Sequence, residues 1–200
     1  MWFRDIVFPD NNEQLFISRA KELGITKLCF VYPYETDFSK VQDPDFDVEI
    51  AVQVGPDTSK KKSEMLRPRV RFCHPDAKHL RRIIEGGIAD VIYGIESLDS
   101  REHMHHRNAG LTQVTAKLLK DKRVVWGISF RELLHAMHTQ RVRLFGRVMA
   151  NMKLQKKYGF DARFASFAKD PEEMRPVKDL QSVLVAIGAD EKAAKEMMIG

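Results

Sequence analysis

The chain has 200 residues, of which 44% are hydrophobic and 30% are charged, and this composition is ordinary for a globular protein. No apolar run approaches the roughly 20 residues that cross a lipid bilayer, and Asp5 and Asp10 stand where a secretory signal would be basic and then apolar. We therefore expect a single domain over residues 1–200 that stays in the cytoplasm and has no membrane partner.

The N-terminal half alternates strand-like and helix-like segments. Aromatic and β-branched residues predict strands over 2–8, 25–32, 48–54, 70–73 and 89–95. Helices are expected between Asn12 and Gly24 and over 79–85, and residues 55–68 are expected to form a polar loop. Cys29 and Cys73 lie in apolar strands and in no CxxC pair, so both are predicted to be buried thiols.

The C-terminal half continues the same alternation. Strands are predicted over 123–129 and 163–168, and helices over 111–120, 140–158 and 170–187, followed by a short helix to Met198. Thr139 is expected to cap the longest helix. Apolar strands that alternate with amphipathic helices indicate a parallel sheet, and about seven strands favour a small TIM-like β/α barrel. A doubly wound open sheet is the alternative.

Positive charge is concentrated between Arg101 and Arg163. This stretch holds fourteen Lys and Arg residues against four acidic ones, a net +10, whereas the whole chain carries only +5. A basic face on a folded domain is typical of a protein that binds a polyanion, most often nucleic acid. A charged helix surface that meets only solvent is the alternative.

The longest predicted helix separates apolar from basic residues on its helical wheel. The apolar arc holds Leu144, Phe145, Val148, Met149 and Met152, and the opposite arc holds Arg143, Arg147, Lys153 and Lys157. The four basic side chains are therefore predicted to face outward, where they would track a phosphate backbone. A solvent-exposed helix with no partner has the same layout.

Two arginines are predicted at the mouth of the barrel, where the carboxyl ends of the strands meet. Arg131 follows the sixth predicted strand, and Arg141 falls on the inward arc at the start of the long helix. Residues just beyond strand carboxyl ends form the functional face of β/α barrels. Both a phosphate-facing role and a structural salt bridge to an acid such as Asp179 or Glu132 remain open, since an unpaired buried guanidinium is unfavourable.

Residues 103–106 contain three histidines, which suggests a metal site as one hypothesis. A catalytic metal in a barrel draws its ligands from several strand ends, usually with carboxylates, so a polar loop that meets RNA or solvent is favoured here. Ser129 and Ser166 end strands, but neither has a histidine in a recognisable triad context. We expect no catalytic residue, no bound metal and no cofactor, and the positions of Asp5, Glu49 and Glu96 leave open whether they are buried.

Residues 88–198 contain several specific sequence pieces. These are the strand and turn GISFRELL, the arginine-led helix from Arg141, the strand RFASFA followed by RPVKDL, and the closing IGADEKAAKEMM. The region resembles the protein component 3 family of archaeal ribonuclease P, the counterpart of the thirty-kilodalton subunit of the eukaryal enzyme. The first third of the chain matches the family only in its order of elements.

The resemblance implies a barrel related to a metal-dependent phosphoesterase fold and an RNA-binding accessory role in tRNA processing. The RNA subunit of this endonuclease would cut the 5′ leader from precursor tRNA, while the protein supports that RNA and is itself non-catalytic. The implied partners are ribonuclease P RNA and protein component 2 in a heterotetramer, with precursor tRNA contacted indirectly. The implied RNA contacts are Arg107, Lys122, Arg123, Arg131, Arg141 and Arg175, to which the helix adds Arg143, Arg147 and Lys157.

Some positions depart from the commoner family pattern. RFASFA has one serine where two small hydroxyl residues are usual, and RELL lacks a proline after its arginine. These departures weaken Ser166 as a contact and leave the basic positions unchanged. Two other functions remain open: a free-standing metal-dependent phosphoesterase that uses the loop over 103–106, and a protein-binding scaffold.

Overall fold

The computed structural model describes residues 4–34, 45–66, 69–98 and 109–198. The strands are β1 Arg4–Val7, β2 Lys27–Pro33, β3 Asp47–Val54, β4 Arg71–Cys73, β5 Val91–Tyr93, β6 Val125–Ser129 and β7 Ala162–Ala165. The helices are α1 Glu13–Glu22, α2 Lys60–Met65, α3 Leu80–Gly86, α4 Gln113–Lys122, α5 Phe130–His135, α6 His138–Tyr158, α7 Val177–Ile187 and α8 Glu191–Met198. Within these ranges no helix is long and apolar enough to cross a bilayer.

The seven strands form one parallel sheet in the order β1 to β7, and the sheet curls into a nearly closed barrel. A parallel bridge between Val7 and Ala168, with the Phe8 amide donating to the Ala168 carbonyl at 2.7 Å, brings the last strand back to the first. The predicted seven-stranded β/α barrel is confirmed, and the open doubly wound sheet is wrong.

The seam between β1 and β7 is held by two polar side chains that are fully buried. Asp5 Oδ1 accepts hydrogen bonds from the Ser166 amide at 2.7 Å and from the Ile6 amide at 3.0 Å. Ser166 Oγ donates to the Ile6 carbonyl at 3.2 Å and accepts from the Ala168 amide at 3.3 Å. These bonds occupy backbone groups that an eighth strand would otherwise pair with.

The barrel has an inner apolar cluster and an outer layer between sheet and helices. The inner cluster is Ile6, Cys29, Val31, Ala51, Phe72, Val91, Tyr93, Ala165 and Phe167. One outer cluster contains Trp126, whose ring packs on Phe160, together with buried residues of α3, α4, α6, α7 and α8, and a second contains the buried face of α1. Cys29 and Cys73 are buried free thiols, as predicted, and burial raises the pKa of each to about 12.

Several local predictions were wrong. The segment expected to be a polar loop contains α2, because Ser59 Oγ accepts from the Lys62 amide and caps a helix turn. The longest helix begins at His138 after Met137, so Thr139 lies inside it and caps nothing. The segment FRELLH forms the unpredicted helix α5, whose first amides are capped by the Ser129 hydroxyl.

Candidate nucleic-acid interface

Lysines from two helices converge around one aromatic side chain, Tyr158, at the carboxyl end of α6 beside α4. The Nζ of Lys117 on α4 lies 5.9 Å from the centre of the Tyr158 ring, and the Nζ of Lys157 on α6 lies 5.3 Å from it. The Tyr158 hydroxyl donates to Gln113 Oε1 at 3.0 Å, which fixes the ring against α4. Lys120 is exposed beside the turn at Gly159. We call Lys117, Lys120, Lys157 and Tyr158 the α4–α6 cluster.

The buried face of α6 is rotated relative to its prediction. Leu144, Val148 and Met152 face the core as expected, but Met149 is 42% exposed. Arg147, predicted to face solvent, is only 4% exposed, so the predicted basic arc is wrong at this position. Arg143, Lys153 and Lys157 are exposed, as expected for that arc.

Arg147 is buried because α6 packs against the turn after β5, which supplies a hydrogen-bond acceptor for its guanidinium. Its Nη1 donates to the Glu96 carbonyl oxygen at 2.7 Å. Glu96 Oε1 accepts from Trp126 Nε1 at 2.7 Å and from Asn151 Nδ2 at 3.1 Å. Asn151 Nδ2 also donates to the Ala109 carbonyl at 2.8 Å. This buried polar network fixes α6 to the barrel, so Arg147 is not accessible to RNA in this structure.

The Glu96 carboxyl is fully buried, and burial raises its pKa to about 7. The negative charge of Glu132 raises the pKa further, whereas the Trp126 and Asn151 donors lower it and only partly offset burial. Glu96 and Asp5 are buried acids, whereas Glu49 is half-buried and ion-paired with Arg4.

Arg141 and Arg175 bind backbone carbonyls instead of acids. Arg141 is exposed, not inward, and its Nε and Nη2 donate to the carbonyls of Ala136 and Leu134 at 2.8 and 3.0 Å. It therefore closes the end of α5. Arg175 Nη1 donates to two neighbouring carbonyls, and its guanidinium lies 5.8 Å from the centre of the Phe130 ring. The salt bridge to an acid, which was one of two alternatives for Arg141, is not found among the described residues.

Arg131 is held by a carboxylate that the sequence analysis did not select. Its Nε donates to Glu173 Oε2 at 2.9 Å, and His135 pairs with the other oxygen of the same carboxylate. Burial alone would raise the pKa of Glu173, but the Lys169 amide, His135 and Arg131 together lower it. The salt bridge that was one of two alternatives for Arg131 is present, although with neither suggested partner.

The carboxyl-end mouth of the barrel holds a small polar group. His74 Nε2 lies 3.7 Å from Glu132 Oε1, and the Ser97 hydroxyl donates to Glu132 Oε2 at 2.6 Å. Gly94, at φ +72°, leaves the room for this approach, since a Cβ there would lie 2.4 Å from His74 Nε2 and 2.7 Å from Glu132 Oε1. In the described ranges, no three His, Cys, Asp or Glu side chains converge as metal ligands. The histidine-rich segment over 103–106 and Arg107 lie outside those ranges.

The predicted contact residues thus divide into three groups. Lys122, Arg123, Arg143 and Lys157 are exposed. Arg131, Arg141 and Arg175 are engaged with protein groups, and Arg147 is buried. Lys117, Lys120 and Tyr158 were missed as site residues. Their clustering depends on how α4 packs on α6, which no local sequence pattern encodes.

No protein-family model matches the chain. The chain is 24% identical over 179 residues to the ribonuclease P protein component 3 of Methanocaldococcus jannaschii, a match that covers 84% of this chain and 75% of that protein. It is 28% identical over 92 residues to the protein of the same name from Methanosarcina mazei, covering 46% of this chain and 38% of that protein.

Two solved structures show the same architecture. A chain in the cryo-EM structure of archaeal ribonuclease P with mature tRNA aligns with a TM-score of 0.77 and 20% identity, covering 98% of this chain and 86% of that one. A probable 2-pyrone-4,6-dicarboxylic acid hydrolase from Acinetobacter baumannii aligns with a TM-score of 0.65 and 13% identity, covering 100% and 97%. At these identities the alignments establish the fold.

The fold is therefore a small parallel β/α barrel, an architecture that it shares with the probable hydrolase and with the chain of archaeal ribonuclease P. Among the described residues, its polar groups include exposed lysines around Tyr158 on one flank and the pair of His74 and Glu132 at the mouth. By sequence, the chain is similar to archaeal ribonuclease P protein component 3, which confirms the predicted resemblance.

Proposed function

We propose that this chain is an RNA-binding protein subunit of ribonuclease P, which supports the RNA-catalysed removal of the 5′ leader from precursor tRNA. The observation that carries the proposal is the α4–α6 cluster, where exposed lysines from two helices flank an aromatic ring. Lysines that follow a backbone beside an exposed ring are the usual means of binding RNA without reading its sequence. The relationship to component 3 supports the choice of RNA.

The α4–α6 cluster favours RNA over solvent because, among the described residues, none of its lysines forms an ion pair, although Asp121 lies on the same helix as Lys117 and Lys120. Exposed ion pairs on other helices, such as Arg81 with Glu85 and Lys60 with Glu64, join a base to an acid one turn away. Lys117 and Lys157 instead share one tyrosine ring. Lysines gathered in this way gain more from neutralising a phosphate than from solvent alone.

The proposal extends to partners and location. Ribonuclease P RNA and protein component 2 are the direct partners, two copies of each protein form a heterotetramer, and precursor tRNA is contacted through the complex. The chain works in the cytoplasm as one domain, without a catalytic group or cofactor of its own. Lys122, Arg123 and Arg143, which are exposed, extend the contact surface beyond the α4–α6 cluster.

The salt dependence of binding to ribonuclease P RNA tests the cluster. The double variant Lys117→Glu with Lys157→Glu removes two phosphate contacts, so the log–log slope against salt should become shallower by roughly 1.4 to 1.8. The matched control reverses two exposed lysines elsewhere, Lys60→Glu with Lys178→Glu, and should keep the wild-type slope. An unchanged slope in the cluster variant, or equal changes in both variants, would contradict the proposed surface.

Reconstitution tests the role in the complex. Precursor-tRNA cleavage by ribonuclease P RNA is measured with this chain, with component 2, and with both proteins together. We expect the pair to increase cleavage at low magnesium concentration, and the chain alone to cleave nothing. Phosphoester hydrolysis by the purified chain without RNA would instead support a free-standing enzyme.

A further inference from the structure

The opposite end of the barrel, where the strands begin, holds a cavity of about 240 Å³. Its floor is apolar and belongs to the inner cluster, including Ile6, Phe72 and Val91. Its rim is charged and includes Arg4, Glu49, Arg123 and Arg163. Arg123 also belongs to the proposed contact surface, but the cavity itself has no role in that proposal.

Two of the acids at this rim are already neutralised. Glu49 is ion-paired with Arg4, and Asp90 accepts a bidentate pair of hydrogen bonds from Arg71 at 2.6 and 2.8 Å. Arg163 is half-buried, and its Nη1 donates to the carbonyls of Ala162 and Glu196 at 3.3 and 3.2 Å. Carbonyl partners leave the positive charge of Arg163 uncancelled, although exposed Asp161 lies near enough to offset part of it.

Arg123 provides the second uncancelled charge and stands in an unusual backbone conformation. It terminates α4 at φ 54°, the left-handed position where helices usually place glycine. A side chain there costs about 1 kcal/mol relative to glycine. In the described part of the chain, its guanidinium has no hydrogen bond or ion pair that would recover this cost. A charged residue in this strained backbone conformation, at the rim of a cavity, suggests a ligand.

The shape of the cavity restricts that ligand. A volume of about 240 Å³ is smaller than the roughly 300 to 1,000 Å³ of sites for drug-sized molecules, so it suits a single planar ring system. The faces of such a ring can pack on the apolar floor, and the two arginines can bind an anion beside it. A nucleobase with its own phosphate has this combination of a flat apolar body and an adjacent anion.

We propose that the strand-start opening of the barrel binds one unstacked nucleotide of an RNA, with the base in the cavity and its phosphate on Arg123 and Arg163. This inference rests on the proposed RNA-binding function and adds a second contact to it. Single-stranded RNA bases are commonly read when they are splayed out of the stack.

The experiment measures binding of a short single-stranded RNA that contains 2-aminopurine, whose fluorescence reports unstacking. Arg123→Gly removes the guanidinium and the backbone strain together, so we expect undiminished stability and roughly tenfold weaker binding. Asn11→Gly is the matched control, because Asn11 also has a left-handed φ of 57° but lies away from the cavity. It should leave binding unchanged.

A second variant, Val91→Phe, fills the cavity without altering charge. We expect it to remove the 2-aminopurine signal while urea unfolding confirms that it folds. If both cavity variants bind and report like the wild type while Lys117→Glu with Lys157→Glu binds weakly, the inference fails and the proposed function stands. If the wild type binds no RNA, both fail. Adenosine monophosphate and inorganic phosphate form the last arms. A cavity that binds adenosine monophosphate but not the RNA, or that binds inorganic phosphate as tightly as adenosine monophosphate, would overturn the inference.

Discussion

Replacing Glu96 with glutamine tests the buried network beneath α6. Glutamine has the same shape, and its Oε1 can still accept from Trp126 and Asn151, but it cannot ionise. Burial raises the pKa of Glu96 from an ordinary 4.5 to about 7. The folded protein therefore keeps the proton on Glu96 at pH values where the unfolded chain has released it.

The sign of the pH effect follows from that difference. Below about pH 4.5 both states carry the proton, and Glu96 has no effect on the pH dependence of stability. Between about pH 4.5 and 7 the unfolded chain ionises first, so the free energy of unfolding falls as pH rises. A separation of about 2.5 units corresponds to about 3 kcal/mol. Glu96→Gln should lack this loss.

Urea unfolding of both proteins at pH 5, 6, 7 and 8 measures the effect. We expect the free energy of unfolding of the variant, relative to that of the wild type, to increase by about 3 kcal/mol in total as pH rises. The melting temperature of the variant relative to the wild type should rise by roughly 6 to 12 °C at pH 8. Asp5, whose pKa burial raises to about 6, titrates in both proteins and cancels in the comparison. A difference that stays constant with pH would refute the assignment of a protonated, buried Glu96.

Two further substitutions test the polar contacts that shape the barrel. Ser166→Ala removes the hydrogen bonds to the Ile6 carbonyl and from the Ala168 amide. It should lower the free energy of unfolding, measured by urea titration, by about 1 to 3 kcal/mol. Ser182→Ala on the exposed face of α7 serves as the control. Glu173→Gln weakens the contacts with Arg131 and His135. Because the pKa of Glu173 is lowered in the folded protein, the wild type should be more stable than the variant at neutral pH and should lose this extra stability on acidification through that pKa. Thermal unfolding from pH 7 to 3 measures the difference. A Glu173→Gln defect that persists at pH 3 would show that packing, not charge, is responsible.

The barrel was predictable from the sequence because its strands are short, apolar and separated by amphipathic helices. Each of these signals is local, and the strand order follows once consecutive parallel strands are assumed to be neighbours. The closure of the barrel was not predictable, because it depends on Asp5 and Ser166, which are 161 residues apart. Nothing local in the chain indicates that these two side chains meet.

The interface was predictable in charge but not in detail. The helical wheel placed Arg147 on the solvent face of α6 because the buried arc of a wheel is chosen from apolar residues alone. The actual buried face of α6 includes Arg147 and Asn151, since Glu96 and nearby carbonyls supply partners that make polar burial acceptable. Arg131 and Arg141 were likewise predicted as site residues from their positions alone. In the structure Arg131 binds Glu173, and Arg141 binds a carbonyl at the end of α5.

The interior of the barrel supports placing the proposed RNA contacts on the flank and at the strand-start end. The rings of Phe8, Tyr93 and Phe167 lie 5.1 to 6.3 Å apart, centre to centre, beneath the mouth. Phe167 adopts a left-handed φ of 50°, and Gly127 admits its ring, since a Cβ at Gly127 would lie 2.8 Å from it. Enzymes of this architecture use the mouth for catalysis. Here aromatic rings fill the space below it, and a cavity opens at the other end, beside Arg123 and Arg163. A partner that carries many phosphates can reach that end and the α4–α6 cluster without entering the mouth.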